Sequence, residues 1–146
     1  MKKNSYLYFF ILSAIFILID QLIKLLIIRI YPEIIIANEK IFFDIIYNGS
    51  ELLMAFALIA FFIFVIREFK SEKSMNYKSI TALSLIFSGG LSNLIDRLER
   101  GAVIDYLNLY FWRINLADIY ILAGIIIYLI MIFKNQKKKF KSITHS

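Results

Sequence analysis

The sequence predicts an all-α membrane protein with four transmembrane helices, a little β-structure outside the membrane and a single domain over residues 1–146. The composition is 60% hydrophobic with a mean hydropathy of +0.73, so the polar residues are too few to coat a soluble domain. Apolar stretches predict spans at about residues 6–28, 50–67, 79–96 and 116–134. Runs of β-branched and aromatic residues between spans predict short strands.

The first span has an apolar centre, Tyr6–Ile19, preceded by Lys2 and Lys3. This pattern is also typical of a signal peptide, but no small-residue cleavage site follows and the apolar pattern continues through DQLIKLLIIRI. We therefore predict a retained helix. The centres of the other three spans are Leu52–Ile66, Ile80–Ile95 and Leu116–Phe133. Only the last approaches the roughly 20 apolar residues of a spanning helix, so polar residues must complete the others.

Two segments between the spans differ from the rest of the chain. YPEIIIANEKIFFDIIYN, broken by Pro32 and by Asn38-Glu39, predicts one or two short strands on the outer membrane surface. LERGAVIDYLNLYFW predicts a short strand or an interfacial segment, because aromatic side chains favour the level of the lipid headgroups.

The basic residues predict the orientation of the spans, because cytoplasmic loops are enriched in Lys and Arg. One side carries 11 bases and only two acids, Glu68 and Glu72, whereas six bases and nine acids lie on or near the other side. The 11 bases are Lys2, Lys3, Arg67, Lys70, Lys73, Lys78, Lys134, Lys137, Lys138, Lys139 and Lys141. Both termini are therefore predicted to be cytoplasmic. Bases at membrane borders argue against a nucleic-acid partner despite the net charge of +6.

Polar residues stand at the outer end of every predicted span. With the predicted orientation they fall at one depth, where ionisable groups are costly unless they face one another or a wet cavity. One shared polar site explains this better than four separate accidents. The residues are Asp20, Gln21 and Lys24; Asn48, Gly49, Ser50 and Glu51; Ser92, Asn93, Asp96 and Arg97; and Asn115 with Asp118.

Each group also has a purely structural interpretation. Asp20 and Lys24 form an i,i+4 pair that would stabilise a helix slightly. Asn93-x-x-Asp96-Arg97 could end a helix. Asn115-x-x-Asp118 has the spacing of a capping box, with Asn at the N-cap and an acid at the third helical position.

The residue inventory restricts the chemistry of such a site. The chain has no cysteine, and its one histidine, His145, lies next to the C-terminus, which excludes thiolate chemistry and histidine-based triads or zinc sites in the membrane. A serine nucleophile (Ser50, Ser88 or Ser92) would need Lys24 as its base. No ligand spacing predicts a metal, and we expect no cofactor. A pair of aspartates remains, which would share a proton and supply a general acid and a general base.

Four motifs resemble those of the lipoprotein signal peptidases, the signal peptidase II family. DQLIK resembles the first motif, SGGLSNLIDRL the Gly-rich Asn-x-x-Asp-Arg motif, AVIDYL the Val-x-Asp motif and INLAD the Asn-x-Ala-Asp motif. The motifs occur in family order over nearly the whole chain.

The resemblance implies an aspartic endopeptidase of the bacterial cytoplasmic (inner) membrane with an extracytoplasmic β-cradle for its substrate. It would remove signal peptides from prolipoproteins, cutting before the diacylglyceryl-modified cysteine, and a globomycin-type inhibitor would block it. Asp105 and Asp118 would form the catalytic dyad. Supporting residues would be Asp20, Lys24, Asn48, Asn93, Asp96, Arg97 and Asn115.

One segment departs from the family pattern. The second motif is Asn-x-Gly-x-Ala-Phe, whereas YNGSELLMAF has Gly49 directly after Asn48. The altered motif leaves open a non-catalytic relative that binds lipidated peptides. The carboxylates within the spans leave open a third alternative, a small proton-coupled carrier. A carrier would favour charges near the membrane midplane and often an inverted repeat, neither of which the sequence contains.

Overall fold

The computed structural model describes residues 2–32, 50–70 and 76–144, with side chains described for residues 4–32, 55–70 and 76–135. The described elements are α1 (Lys2–Ile30), α2 (Ser50–Lys70), α3 (Tyr77–Arg100), β1 (Leu107–Leu109), β2 (Trp112–Ile114) and α4 (Leu116–Thr144). The protein is thus mostly helical with a small two-stranded sheet, as predicted. The strands predicted within residues 33–47 lie outside the described residues.

Three helices in the described part of the chain are long and apolar enough to cross a membrane: Asn4–Ile30, Tyr77–Arg100 and Leu116–Asn135. Large apolar side chains such as Leu22, Leu26 and Leu122 are more than half exposed, whereas Asp20, Lys24 and Asp96 are fully buried. Such an inverted distribution suits a lipid environment. The second predicted span, residues 50–67, coincides with α2 and remains a prediction as a membrane span.

The central helix is α3, which packs against α1, α2 and α4. Asn76 caps its N-terminus by accepting from Ser79 N at 2.8 Å. The residues Asn93-x-x-Asp96-Arg97 lie in the final turns of this helix, which continues to Arg100. It stops at Gly101, whose φ of 76° is a left-handed conformation that glycine adopts without strain. The extra turn adds Arg100 to the polar end of the bundle.

The two ends of the bundle have different interiors. An apolar core lies where α1 and α3 begin and α2 ends, and it contains Phe9, Val65, Phe69, Ile80 and Leu83. The buried polar residues of α1 and α3 lie mostly toward the opposite end, near the start of α4. The apolar end therefore packs the helices together, and the polar end is available for chemistry.

The sheet is a hairpin close to the polar end. Leu107 pairs with Ile114, and Leu109 pairs with Trp112, around a turn at Tyr110 and Phe111. The side chains of Tyr110, Phe111 and Trp112 are 90%, 85% and 76% exposed. The segment predicted as a strand or an interfacial element is therefore two strands with an aromatic tip.

Candidate active site

The centre of the polar end is the ammonium group of Lys24, which is fully buried. Its Nζ lies 2.7 Å from Asp20 Oδ2 and 2.7 Å from Asp96 Oδ2, and it donates to Asn93 Oδ1 at 3.0 Å. Three acceptors match the three protons of an ammonium group. Lys24 thereby connects α1 to two positions of α3.

The two carboxylates that contact Lys24 also hold the segments on either side of the hairpin. Asp20 Oδ1 accepts from the backbone N–H of Ala117 at 3.0 Å, in the first turn of α4. Asp96 Oδ2 accepts from the backbone N–H of Ile104 at 3.2 Å, one residue before Asp105. The buried cluster therefore fixes the backbone next to both Asp105 and Asp118.

Two asparagines connect Lys24 to these aspartates. Asn93 Nδ2 donates to Asp118 Oδ1 at 2.8 Å. Asn115 Nδ2 donates to Asp105 Oδ1 at 2.7 Å and to Asn93 Oδ1 at 3.0 Å. Asn115 is fully buried, so its amide orientation is set by these partners. Asp105 and Asp118 are thus joined through one continuous hydrogen-bond network.

The N-terminus of α4 has the capping-box geometry that the sequence suggested. Asp118 N donates to Asn115 Oδ1 at 3.0 Å, and Asn115 N donates to Asp118 Oδ2 at 3.1 Å. Leu116 N donates to Tyr106 Oη at 3.3 Å, and Ala117 N to Asp20. All the first N–H groups of α4 are therefore satisfied. Because Asp118 also accepts from Asn93, the capping interpretation and the site interpretation hold together.

A close approach of α3 and α4 brings Asn93 to Asp118. A Cβ atom on Gly89 would overlap Ala117 O and would lie 2.7 Å from Ile121 Cγ1. Gly89 is one helical turn before Asn93, and Ala117 is next to Asp118. The absence of a side chain at Gly89 therefore permits the short asparagine–aspartate contact.

The electrostatic environment of Asp105 differs from that of an exposed carboxyl group. Burial, followed by the charge of Asp118, raises its pKa from 3.8 to about 6. The hydrogen bond from Asn115 and the charges of Lys24 and Arg97 lower the pKa by smaller amounts. The carboxyl group of Asp105 is therefore able to exchange a proton near neutral pH.

The structure brings together most residues that the sequence singled out. Asp20, Lys24, Asn93, Asp96, Asn115, Asp105 and Asp118 belong to one network, and Arg97 acts on Asp105 through its charge. Asn48 lies outside the described residues, and Glu51 outside the described side chains.

Sequence reasoning left two contributors out of the site, Arg100 and Tyr106, whereas Gln21 and Ser92 belong to the polar groups that it singled out. Gln21 Nε2 donates to Ser92 Oγ at 2.9 Å and to Asp96 Oδ1 at 3.0 Å. The i,i+4 spacing of Asp96 and Arg100 is the sequence signal that could have identified Arg100 as part of the site.

Ser88 and Ser92 are not placed as nucleophiles, and the side chain of Ser50 lies outside the described side chains. Ser92 Oγ donates to Asp20 Oδ2 at 2.6 Å, and Ser88 Oγ donates to the backbone oxygen of Leu85 at 3.0 Å. Lys24 makes its contacts to Asp20, Asp96 and Asn93. The arrangement therefore favours acid–base chemistry by carboxyl groups over a serine–lysine pair.

Comparison with known proteins gives a consistent result. The family model described as "Signal peptidase (SPase) II" matches residues 12–134. A "Lipoprotein signal peptidase" of Streptococcus agalactiae serotype Ia is 33% identical over 144 residues, covering 86% of this chain and 92% of the relative. One from Borreliella afzelii is 31% identical over 167 residues, covering 97% of each chain.

A solved structure described as a bacterial membrane enzyme has a similar fold. The TM-score is 0.68 at 22% sequence identity, and the match covers 90% of both chains. At this identity the likeness concerns the fold alone.

Proposed function

The chain belongs to the signal peptidase II family, and we propose that it is an aspartic endopeptidase that cleaves the signal peptide from lipidated prolipoproteins before the modified cysteine. Membership makes it a bacterial membrane peptidase of lipoprotein processing. The observation that carries the aspartic mechanism is Asn115, which contacts both carboxyl-bearing residues, Asp105 and Asp118.

In the proposed mechanism the two aspartates have different roles. Both oxygens of Asp118 face N–H donors, Asn93 Nδ2 and Asn115 N, so a proton on either oxygen would meet another proton. We therefore assign Asp118 as the ionised base. Asp105, whose pKa of about 6 lies well above its ordinary value, carries the shared proton and acts as the acid.

The reaction then proceeds as in other carboxylate dyads. Asp118 takes a proton from water as the water oxygen attacks the scissile carbonyl carbon, and Asp105 gives its proton to the carbonyl oxygen. Collapse of the tetrahedral intermediate breaks the C–N bond as Asp118 gives the proton taken from water to the leaving nitrogen, and Asp105 takes back a proton from a hydroxyl of the intermediate. The products are a signal peptide with a free carboxylate and a lipoprotein with a free amino group on its cysteine.

The test is cleavage of a diacylglyceryl-modified prolipoprotein by the purified protein in detergent, with the unmodified prolipoprotein as the control substrate. Cleavage of the modified substrate alone is expected. Binding without cleavage would favour the non-catalytic relative, and neither binding nor cleavage would leave the carrier alternative.

The activity is expected to depend on pH through the dyad. Since Asp105 must be protonated to act as the acid, activity should fall as pH rises through an apparent pKa near 6, a value that belongs to the coupled pair. Arg97 stabilises the ionised form of Asp105, so Arg97→Met should move this alkaline limb to higher pH. Arg29→Met, at the exposed end of α1, is the matched control and should leave the limb in place. A limb that moves to lower pH in Arg97→Met would contradict the assignment of Asp105 as the acid.

The proposed orientation places both termini in the cytoplasm and the polar end of the bundle outside. Because the chain has no cysteine, single cysteines report topology without background. Phe111→Cys, at the 85% exposed hairpin tip, should react with a membrane-impermeant maleimide on intact cells or spheroplasts. Lys137→Cys should react only after permeabilisation. The reverse pattern would invert the orientation.

A further inference from the structure

Arg100 makes the second charged contact to the buried carboxylate of Asp96. Its Nη1 lies 2.6 Å from Asp96 Oδ1 and 3.3 Å from Gln21 Oε1, and its side chain is only 15% exposed. Its other contact is weaker, because Nη2 lies 3.4 Å from Oε2 of Glu99, whose side chain is 61% exposed. The guanidinium group therefore points into the polar end of the bundle.

The two oxygens of Asp96 have different partners. Oδ1 accepts from Arg100 and Gln21. Oδ2 contacts Lys24 and accepts from the backbone N–H of Ile104, whose side chain is fully buried. Asp96 therefore anchors the segment that leads directly into Asp105.

The charge count of the cluster shows why Arg100 is needed. Asp20 and Asp96 are two buried carboxylates, and Lys24 is the ammonium group between them. Without Arg100 these three side chains would carry a net negative charge in a water-poor environment, which is unfavourable. With Arg100 included, the charges of the four side chains sum to zero.

We propose that Arg100 is a positioning residue of the peptidase: it holds the Asp96 carboxylate so that the Ile104 N–H, and with it Asp105, stays in place. The proposal rests on the proposed function, because the consequence of misplacing Asp105 is loss of cleavage. Small displacements of a reacting group are costly, with about a 100-fold loss of rate for roughly 1 Å.

The variants that test this are Arg100→Met, Arg100→Lys and, as a matched control, Glu99→Gln. Arg100→Met should lower kcat about 10- to 100-fold with KM within about twofold, because Arg100 contacts Asp96 Oδ1 and not the oxygen that accepts from the Ile104 N–H. Arg100→Lys keeps the charge and should recover most of kcat. Glu99→Gln removes only the exposed contact and should match the unmodified protein.

Hydrogen exchange supplies a readout that a general loss of stability would not reproduce. In Arg100→Met, the amide of Ile104 and its neighbours in residues 101–106 should exchange faster, while the centre of α3 keeps its protection. Unchanged exchange at Ile104 together with unchanged kcat would overturn the proposal, as would equal acceleration throughout α3 and α4.

The exchange measurement needs no substrate, so the two proposals can fail separately. If the unmodified protein cleaves nothing but Arg100→Met still releases Ile104, the proposed function fails and the anchoring role of Arg100 stands. If cleavage is normal and Ile104 is unaffected by Arg100→Met, the anchoring role alone fails.

Discussion

Replacement of Asp105 by Asn is expected to abolish cleavage while leaving the protein folded, and to raise its thermal unfolding midpoint at pH 7.5. The loss of activity follows because the amide cannot supply the acidic proton. Folding should persist because Asn retains an oxygen to accept from Asn115 Nδ2, as Asp105 Oδ1 does at 2.7 Å. Cleavage of the lipidated prolipoprotein and thermal unfolding in detergent are the two measurements.

The rise in stability follows from the direction of the pKa shift. The pKa of Asp105 in the folded protein, about 6, is above its ordinary 3.8, so ionisation of this side chain disfavours the folded state. The stability that protonated Asp105 contributes is complete below about pH 4, decreases between about pH 4 and 6, and is lost above about pH 6. The Asp105→Asn variant should therefore gain stability relative to the unmodified protein only as pH increases through this window. An equal difference at pH 4 and pH 7.5 would contradict this explanation.

Asp118→Asn should also abolish cleavage, but with the opposite effect on stability. Asp118 accepts at both oxygens, from Asn93 Nδ2 at 2.8 Å and from Asn115 N at 3.1 Å. An amide would turn its NH₂ group toward one of these donors, which costs roughly 1–2 kcal/mol. Substantial turnover by either variant would remove the dyad assignment. An Asp118→Asn variant that is active and only less stable would leave Asp118 a helix cap.

The sequence predicted the helices better than their ends. Apolar runs locate spans, but α3 extends past the apolar stretch to Arg100, and Asp96 and Arg100 pair on one face of this last part of the helix. The predicted span ends at about residue 96, and for this reason Arg100 was not included in the predicted site. The hairpin was harder to define, since a short aromatic run suits an interfacial segment as well as two strands.

The site was predictable to the extent that its residues stand in local motifs. Asp20 with Lys24 and Asn115 with Asp118 have helical spacings that are visible in the sequence. Contacts between distant segments were not visible: the bonds from Asn93 to Asp118 and from Ile104 N to Asp96 depend on how helices and loop pack. Gly89 illustrates this, because it allows the backbone of Ala117, 28 residues away in sequence, to come close to α3.

Replacement of Lys24 by Met is expected to cause the largest loss of stability of any single change considered. The ammonium group is fully buried between Asp20 Oδ2 and Asp96 Oδ2, each at 2.7 Å. Its removal leaves two buried carboxylates with less compensation, and breaking one such pair typically costs about 3–5 kcal/mol. Less protein should reach the membrane in folded form, and the thermal unfolding midpoint of the purified fraction should drop.

The matched control is the double variant Lys24→Met with Asp20→Asn, which removes one charge of each sign. It should recover part of the lost stability, because the remaining carboxylate of Asp96 still contacts Arg100. Recovery would show that the single variant suffers from uncompensated charge. No recovery would mean that the hydrogen bond from Lys24 to Asn93 Oδ1, 3.0 Å long, matters more than charge balance.

Lys24 also separates the aspartic mechanism from a serine–lysine mechanism. If Lys24 is structural, the folded fraction of Lys24→Met should retain more activity than Asp105→Asn or Asp118→Asn, and a serine-directed acylating reagent should not block the unmodified protein. Ser92 Oγ donates to Asp20 at 2.6 Å, which keeps its proton away from Lys24. If the reagent blocked turnover and Lys24→Met prevented acylation, Lys24 would be a catalytic base and the aspartic mechanism would be wrong.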